Sequence, residues 1–133
     1  MKAEGHLFRY PYFIPLQYGV HKIFETAVVD VYPHYVNKVV KKGRTEVELE
    51  QVIMWLTGFD SKVLKKHLSS KTSFSDFFKD AELNKNADLI TGSICGVKIQ
   101  EIEDPLMKKI RYLDKLVDEL AKGRPLEKIL RVG

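Results

Sequence analysis

The strongest constraint on the fold is a capped, amphipathic helix near the end of the chain. Asp104 occupies the N-cap position and Pro105 the first helical position, where the missing N–H of proline costs no hydrogen bond. Apolar residues then recur at spacings of four, three, four and three: Leu106, Ile110, Leu113, Val117 and Leu120. Gly123 ends the pattern. A helix with one apolar face must bury that face against other elements, so the sequence predicts a packed helical domain.

Similar signals predict further helices upstream. Thr45 and Glu48 form a capping box, in which each side chain satisfies a free backbone N–H of the other residue. Gly58 is predicted to end the helix that follows. Shorter helices are predicted to begin at Asp60, at Ser73 and at Pro125, and residues 84–86 are predicted to be a loop.

Asp30 is predicted to cap a helix that runs through Lys42. Pro33 would lie in its first turn, where proline is tolerated, and Gly43 would provide the left-handed stop. The apolar residues of this segment fall on one helical face, as expected for a helix that packs against the domain.

Residues 87–103 fit two patterns. Ile90, Ile94 and Val97 follow a helical period, whereas Val97, Ile99 and Glu101 alternate with polar residues as a strand would. Two glycines in the segment weaken helix propensity by about 1 kcal/mol each. The length of the segment and the cap at Asp104 favour a helix, with a short strand or hairpin as the alternative.

The composition is consistent with one domain. The chain has 133 residues, 44% of them apolar, and its single cysteine excludes an intramolecular disulfide. We therefore predict a mainly α fold, a compact single-domain bundle of about five to seven short helices, with one short hairpin possible within residues 87–103. No metal or cofactor is needed to hold such a core together.

Residues 1–22 differ from the helical domain predicted over residues 23–133. They combine aromatic side chains with Pro11 and Pro15, which favours extended or irregular backbone. So many aromatic side chains carry a large apolar area that burial would remove from water. This N-terminal extension is therefore predicted to lie along the domain or to mediate a homo-oligomer. Its aromatic residues are Phe8, Tyr10, Tyr12, Phe13 and Tyr18.

Charge and hydrophobicity make several classes of protein unlikely. The net charge is +4, but the basic residues alternate with acidic ones instead of forming one basic face, so nucleic-acid binding is not expected. No run of 18 apolar residues is present, so no membrane span is predicted. The start of the chain lacks the apolar stretch of a signal peptide, and a cytoplasmic location is expected.

One short string suggests catalysis. Residues 92–96 read GSICG, but a nucleophile elbow needs serine at the centre, where Ile94 stands. Cys95 could act as a nucleophile if a histidine lowered its pKa, although an unpaired cysteine is more often a buried small residue. In that case Gly92 and Gly96 would allow another helix to approach closely. The string is not followed by Gly-Lys-Ser/Thr, so it does not match a phosphate-binding loop.

Metal sites are also not predicted. None of the four histidines lies three or four residues from another, the spacing that would place two ligands on one helical face. Asp30 and His34 lie four apart, but one carboxylate and one imidazole are too few. Glu101, Glu103 and Asp104 are explained by the favourable electrostatics of a helix N-terminus, with a general base or cation ligand as the alternative.

Two functions remain. The favoured one is a small, non-enzymatic module that binds a partner or associates with itself, because no catalytic template is complete. The alternative is a small-molecule enzyme or ligand-binding domain, with a polar pocket where a few side chains converge. The candidate pocket residues are His34, Tyr35, Trp55, Cys95 and Arg111.

Several strings resemble those of a known family when taken in order. Over about residues 21–131 the chain resembles the bacterial domain-of-unknown-function family numbered 2200, which implies a small, mainly helical domain with no assigned activity. The segment before His21 is an extension relative to the family pattern. The strings are VYPHYV at 31–36, KGRT at 42–45, WLTGF at 55–59, LITGSICGV at 89–97, IEDPLM at 102–107 and IRYLDKLVDEL at 110–120.

Overall fold

A computed structural model describes the backbone of residues 20–132 and their side chains from residue 22 onward. This range contains seven α-helices and one two-stranded antiparallel hairpin. The helices are α1 (Val20–Glu25), α2 (Val28–Val40), α3 (Glu46–Thr57), α4 (Ser61–Ser69), α5 (Phe74–Asp80), α6 (Pro105–Ala121) and α7 (Leu126–Ile129). The strands are β1 (Ser93–Ile94) and β2 (Val97–Lys98), and 3-10 turns precede and follow the hairpin at Ala87–Leu89 and Ile99–Glu101. The predicted mainly α fold is confirmed.

The N-terminal extension falls largely outside the described residues. The prediction of extended backbone and of an oligomeric contact concerns residues 1–22. Residues 1–19 lie outside the described range, and residues 20–22 belong to a helix and are not extended. The described part begins with α1, which crosses the boundary predicted at residue 22. No helix in the described range is both long and apolar enough to cross a membrane.

Helix α6 is the centre of the bundle. It packs against α1, α2, α3, α5, α7, β1 and the second 3-10 turn. Its buried positions include Leu113, Leu116, Val117 and Leu120, each with no exposed surface. Burying such a side chain contributes roughly 1.5–3 kcal/mol, so α6 provides much of the apolar stabilisation. The predicted apolar face is buried, and burial extends beyond it to polar residues of the same helix such as Arg111, Asp114 and Glu119.

Four predicted caps at helix starts are confirmed. The hydroxyl of Thr45 accepts a hydrogen bond from the backbone N–H of Glu48, whose carboxylate accepts from the N–H of Thr45 in return. The carboxylates of Asp60 and Asp104 accept from the N–H groups of Val63 and Met107. Ser73 caps α5 in the same way by accepting from the N–H of Asp76, at the position where the start of this helix was predicted.

The start of α2 was predicted wrongly. The N-cap residue is Ala27, and Asp30 lies inside the first turn. The N–H of Val28 donates to the carbonyl of Thr72 instead, within an antiparallel bridge between Ala27 and Ser73. A tertiary contact thus satisfies the first N–H of the helix, and the backbone carbonyl of Ala27 accepts from the N–H of Asp30 without a side-chain cap. Pro33 consequently lies within the helix and not in its first turn.

The helix favoured for residues 87–103 is also wrong, and the hairpin alternative is correct. Ile94 pairs with Val97 across a turn whose central residues, Cys95 and Gly96, have φ of 54° and 80°. Two positive φ values in a row are typical of the type I′ turn and are incompatible with a right-handed helix. Gly92 also has a positive φ, of 98°. The two glycines therefore permit turns and do not mediate helix packing.

The last carbonyl groups of helix α3 accept hydrogen bonds from the segment that follows α5. The carbonyl of Thr57 accepts from the N–H of Glu82, and that of Leu56 from the N–H of Asn84. The side-chain amide of Asn84 also donates to the carbonyl of Trp55. Gly58 turns the chain with φ of 77°. The segment after α5 therefore binds the C-terminus of α3 by main-chain hydrogen bonds.

The end of α6 binds three arginines. Glu119 accepts from Arg124 at 3.0 Å and from both terminal nitrogens of Arg131 at 2.6 and 2.8 Å. Arg44 donates to the carbonyl oxygens of Leu120 at 3.2 Å and Arg124 at 2.8 Å. These contacts hold the C-terminal segment against the start of α3.

We expect Gly58→Ala to destabilise the protein more than Gly43→Ala. Both glycines have positive φ, which costs a side chain roughly 1–2 kcal/mol. A Cβ at residue 58 would also lie 2.9 Å from the carbonyl oxygen of Glu82, whereas one at residue 43 would meet nothing within 4 Å. Urea unfolding of the two variants measures the difference, and equal losses would contradict a steric contribution from Glu82.

Candidate functional site

A buried ion pair lies at the contact between α2 and α6. Arg111 and Asp114 are one helical turn apart on α6, with Nη1 of Arg111 3.0 Å from Oδ2 of Asp114. The hydroxyl of Tyr35, on α2, donates to Oδ1 of Asp114 at 2.7 Å. Each of the three residues is less than 5% exposed. A carboxylate, a guanidinium and a phenol thus join the two helices in the interior.

Burial raises the pKa of the Asp114 carboxyl above its ordinary value. The positive charge of Arg111 and the hydrogen bonds from Tyr35 and Arg111 act in the opposite direction and offset part of this effect. A buried carboxylate without such donors is strongly disfavoured, so the two donors are what allow Asp114 to occupy this position.

A second ion-pair group lies one turn further along α6. Asp118 contacts Lys38 of α2 at 3.3 Å and Lys122 at 3.0 Å. Burial alone would raise the pKa of the Asp118 carboxyl, but the hydrogen bond from Lys122 and the charge of Lys38 outweigh it and lower the pKa. Asp118 is therefore a carboxylate that is better stabilised in the folded than in the unfolded chain.

The hairpin places Cys95 beside these charges. Its thiol is partly buried, and burial raises its pKa; the charges of Arg111 and Lys38 lower the pKa, while those of Asp114 and Asp118 raise it. The thiol is consequently protonated at neutral pH. Because the thiolate is the nucleophilic form, Cys95 is not activated for catalysis. We call the set Tyr35, Lys38, Cys95, Arg111, Asp114 and Asp118 the Asp114 cluster.

The structure brings together three of the five residues predicted to line a pocket. Tyr35, Cys95 and Arg111 belong to the Asp114 cluster. His34 is partly exposed on α2 and makes no hydrogen bond to that cluster in the described part of the chain. Trp55 lies on α3, packs partly buried against the core, and its carbonyl binds Asn84.

Sequence reasoning missed the residue at the centre of the cluster. Asp114 stands three residues after Arg111, a spacing that places the two side chains on the same helical face. That spacing was the available signal. The hydrogen bond from Tyr35, 79 residues away in the chain, has no equivalent local signal.

The acidic residues before α6 do not converge on a site. Asp104 caps α6, while Glu101 and Glu103 are exposed. Between residues 20 and 132 no group of three or more histidine, cysteine or acidic side chains is arranged to hold a metal ion. Among these residues, Glu101 and Glu103 therefore have no further side chains beside them that would complete a cation site.

Comparisons with known proteins identify a family but no activity. The model of the family described as "Uncharacterized protein conserved in bacteria (DUF2200)" matches residues 22–131. The solved structure titled "Crystal structure of uncharacterized protein SP1917" is 40% identical, with a TM-score of 0.78, and the match covers 83% of this chain and 91% of that one. No curated protein matches the chain.

We expect Tyr35→Phe to lower the free energy of unfolding by about 1–3 kcal/mol, because Asp114 loses a hydrogen-bond donor in the interior. Tyr112→Phe is the matched control, since this tyrosine is also buried but its hydroxyl donates to no other described residue. Chemical unfolding measures both variants. A similar loss in the two would show that the Tyr35–Asp114 bond contributes little.

Asp118 should make stability depend on pH. Its pKa is lower in the folded chain than the ordinary value of 3.8. The stability that it contributes is therefore present above about pH 4 and is lost as the pH falls through the folded pKa. Relative to Asp118→Asn, we expect the advantage of the original protein in unfolding free energy to shrink in acid. The exposed Asp88→Asn serves as the control, and an advantage that is constant with pH would contradict the assignment.

Proposed function

Since the chain belongs to the bacterial family DUF2200, whose description assigns no activity, we propose from its own residues that it is a small binding module that associates with itself. The observation that carries this proposal is that the polar groups of the candidate site are used within the domain. Asp114 accepts from Tyr35 and Arg111, and Asp118 from Lys38 and Lys122. The Asp114 cluster thus joins helices α2 and α6, and the proposed binding function requires no chemical reaction at these residues.

The N-terminal extension supports self-association. The family match begins at residue 22, so the extension precedes the part of the chain shared with the family. Residues 8–18 contain five aromatic side chains. Tyrosine and phenylalanine contribute large apolar areas to protein interfaces, and an interface formed by a second copy would remove them from water. We propose that this segment forms the contact between copies, in the cytoplasm expected from the sequence.

The alternative remains a small-molecule site beside Cys95. It is favoured by the convergence of Tyr35, Cys95 and Arg111, but the raised pKa of the thiol argues against a cysteine nucleophile. Ligand binding without covalent chemistry is the form of this alternative that the geometry allows.

The test is the mass of the intact protein in solution over a range of concentrations, measured by light scattering after gel filtration. We expect a mass above that of the monomer. Replacing the four aromatic residues Phe8, Tyr10, Tyr12 and Phe13 by serine should give the monomer mass, because the proposed contact loses its apolar area. Serine at Lys2, Glu4, His6 and Arg9 is the matched control and should leave the assembly intact.

Two results would contradict the proposal. One is a monomer mass for the intact protein at every concentration. The other is an assembly that is unaffected by the aromatic substitutions, which would place the contact elsewhere.

A further inference from the structure

A hydroxyl, an imidazole and a carboxylate form a hydrogen-bonded chain where α4 is followed by α5. Oγ1 of Thr72 lies 3.0 Å from Nδ1 of His67. Oδ2 of Asp80 lies 2.7 Å from Nε2 of the same ring. The three residues lie outside the Asp114 cluster.

The carboxylate determines which ring nitrogen carries the proton. An ionised carboxylate only accepts hydrogen bonds, so Nε2 of neutral His67 carries its proton and donates to Asp80. Nδ1 is then the free acceptor, and the hydroxyl of Thr72 donates to it. This is the arrangement of nucleophile, base and orienting carboxylate found in acyl-transfer enzymes, with the two ring nitrogens exchanged.

The imidazole is held in place by aromatic rings. Its centroid lies 4.8 Å from that of Phe59 and 5.5 Å from that of Phe77. Its side chain is 16% exposed. Thr72 is fixed through its backbone, whose N–H donates to the carbonyl of His67 at 3.1 Å and whose carbonyl accepts from Val28 at 2.8 Å. The nucleophile and its base therefore have a defined relative position.

The site is open to a reactant on the Thr72 side. Thr72 and Ser73 are both partly exposed. The antiparallel bridge between Ala27 and Ser73 uses the carbonyl of Thr72 and the N–H of Phe74. The backbone N–H of Ser73 itself donates to none of the other described residues. The N–H of the residue after the nucleophile is a recurrent donor to the oxyanion of acyl transfer.

We propose that Thr72 is a nucleophile that takes an acyl group from an activated ester, a function separate from self-association. Oγ1 of Thr72 forms a bond to the carbonyl carbon, and its proton passes to Nδ1 of His67. The bond between that carbon and the leaving oxygen breaks, and the proton passes to the leaving alcohol. Water then attacks the acyl-threonine by the same route, releasing the carboxylic acid and restoring Thr72. Asp80 is a positioning residue for the ring.

The test uses p-nitrophenyl acetate with the intact protein. We expect a burst of nitrophenol and one acetyl group on Thr72, located by mass spectrometry of peptides. Thr72→Val should remove this modification, while Thr91→Val, at an exposed threonine outside the site, should retain it. His67→Gln should slow acetylation of Thr72 by about a hundredfold, within the range of general-base catalysis.

Further measurements separate catalysis from folding. Asp80→Asn keeps an acceptor but loses the charge, and it should slow acetylation with little change in thermal stability, since Asp80 is 58% exposed. The proposal is overturned if Thr72 is not acetylated, or if its acetylation is as fast in His67→Gln, provided that circular dichroism shows the variant folded.

Discussion

The burial of the Asp114 carboxylate is the interaction on which the arrangement of the bundle depends. A charge in the interior is tolerated only where donors replace water, and Tyr35 and Arg111 supply them. Tyr35 lies on α2, and Asp114 and Arg111 lie on α6. The hydrogen bond between Tyr35 and Asp114 therefore fixes which sides of the two helices face each other. Apolar contacts have no preferred direction, whereas the hydrogen bond from Tyr35 to Asp114 is directional and joins one defined point on each helix.

Elements whose ends are determined by nearby residues could be predicted from the sequence. The capping box at Thr45 and the Asp104–Pro105 start of α6 lie within one helical turn of the groups that they satisfy. The start of α2 could not be predicted in this way, because Thr72 supplies the acceptor for Val28 from another part of the chain. The hairpin was ambiguous because its apolar residues fit both a helical and an alternating period. The turn itself gave no clear signal, since cysteine is an unusual residue at a left-handed turn position.

The same distinction between local signals and long-range contacts applies to the candidate site. Tyr35, Cys95 and Arg111 could be selected as residues with useful chemistry, and the spacing of Arg111 and Asp114 was a local signal. The hydrogen bond from Tyr35 to Asp114 forms only when α2 lies against α6. His67, Thr72 and Asp80 follow no helical or strand period, so their convergence depends on the chain reversal between α4 and α5. Residue type is visible in a sequence, whereas the approach of side chains over long separations is a property of the packed core.

The arginine contacts at the end of α6 have a consequence for synthesis on the ribosome. Arg44 finds its acceptors at Leu120 and Arg124, and Glu119 is paired by Arg131, almost the last described residue. A nascent chain that ends before α6 contains α2, α3 and the ion pair between Arg44 and Glu48. It lacks Asp114, which accepts from Tyr35, the two carbonyl acceptors of Arg44, and the surface that the apolar faces of α2 and α3 cover. Such a chain gains little by folding early, so this domain completes its core only when its C-terminal segment has left the exit tunnel.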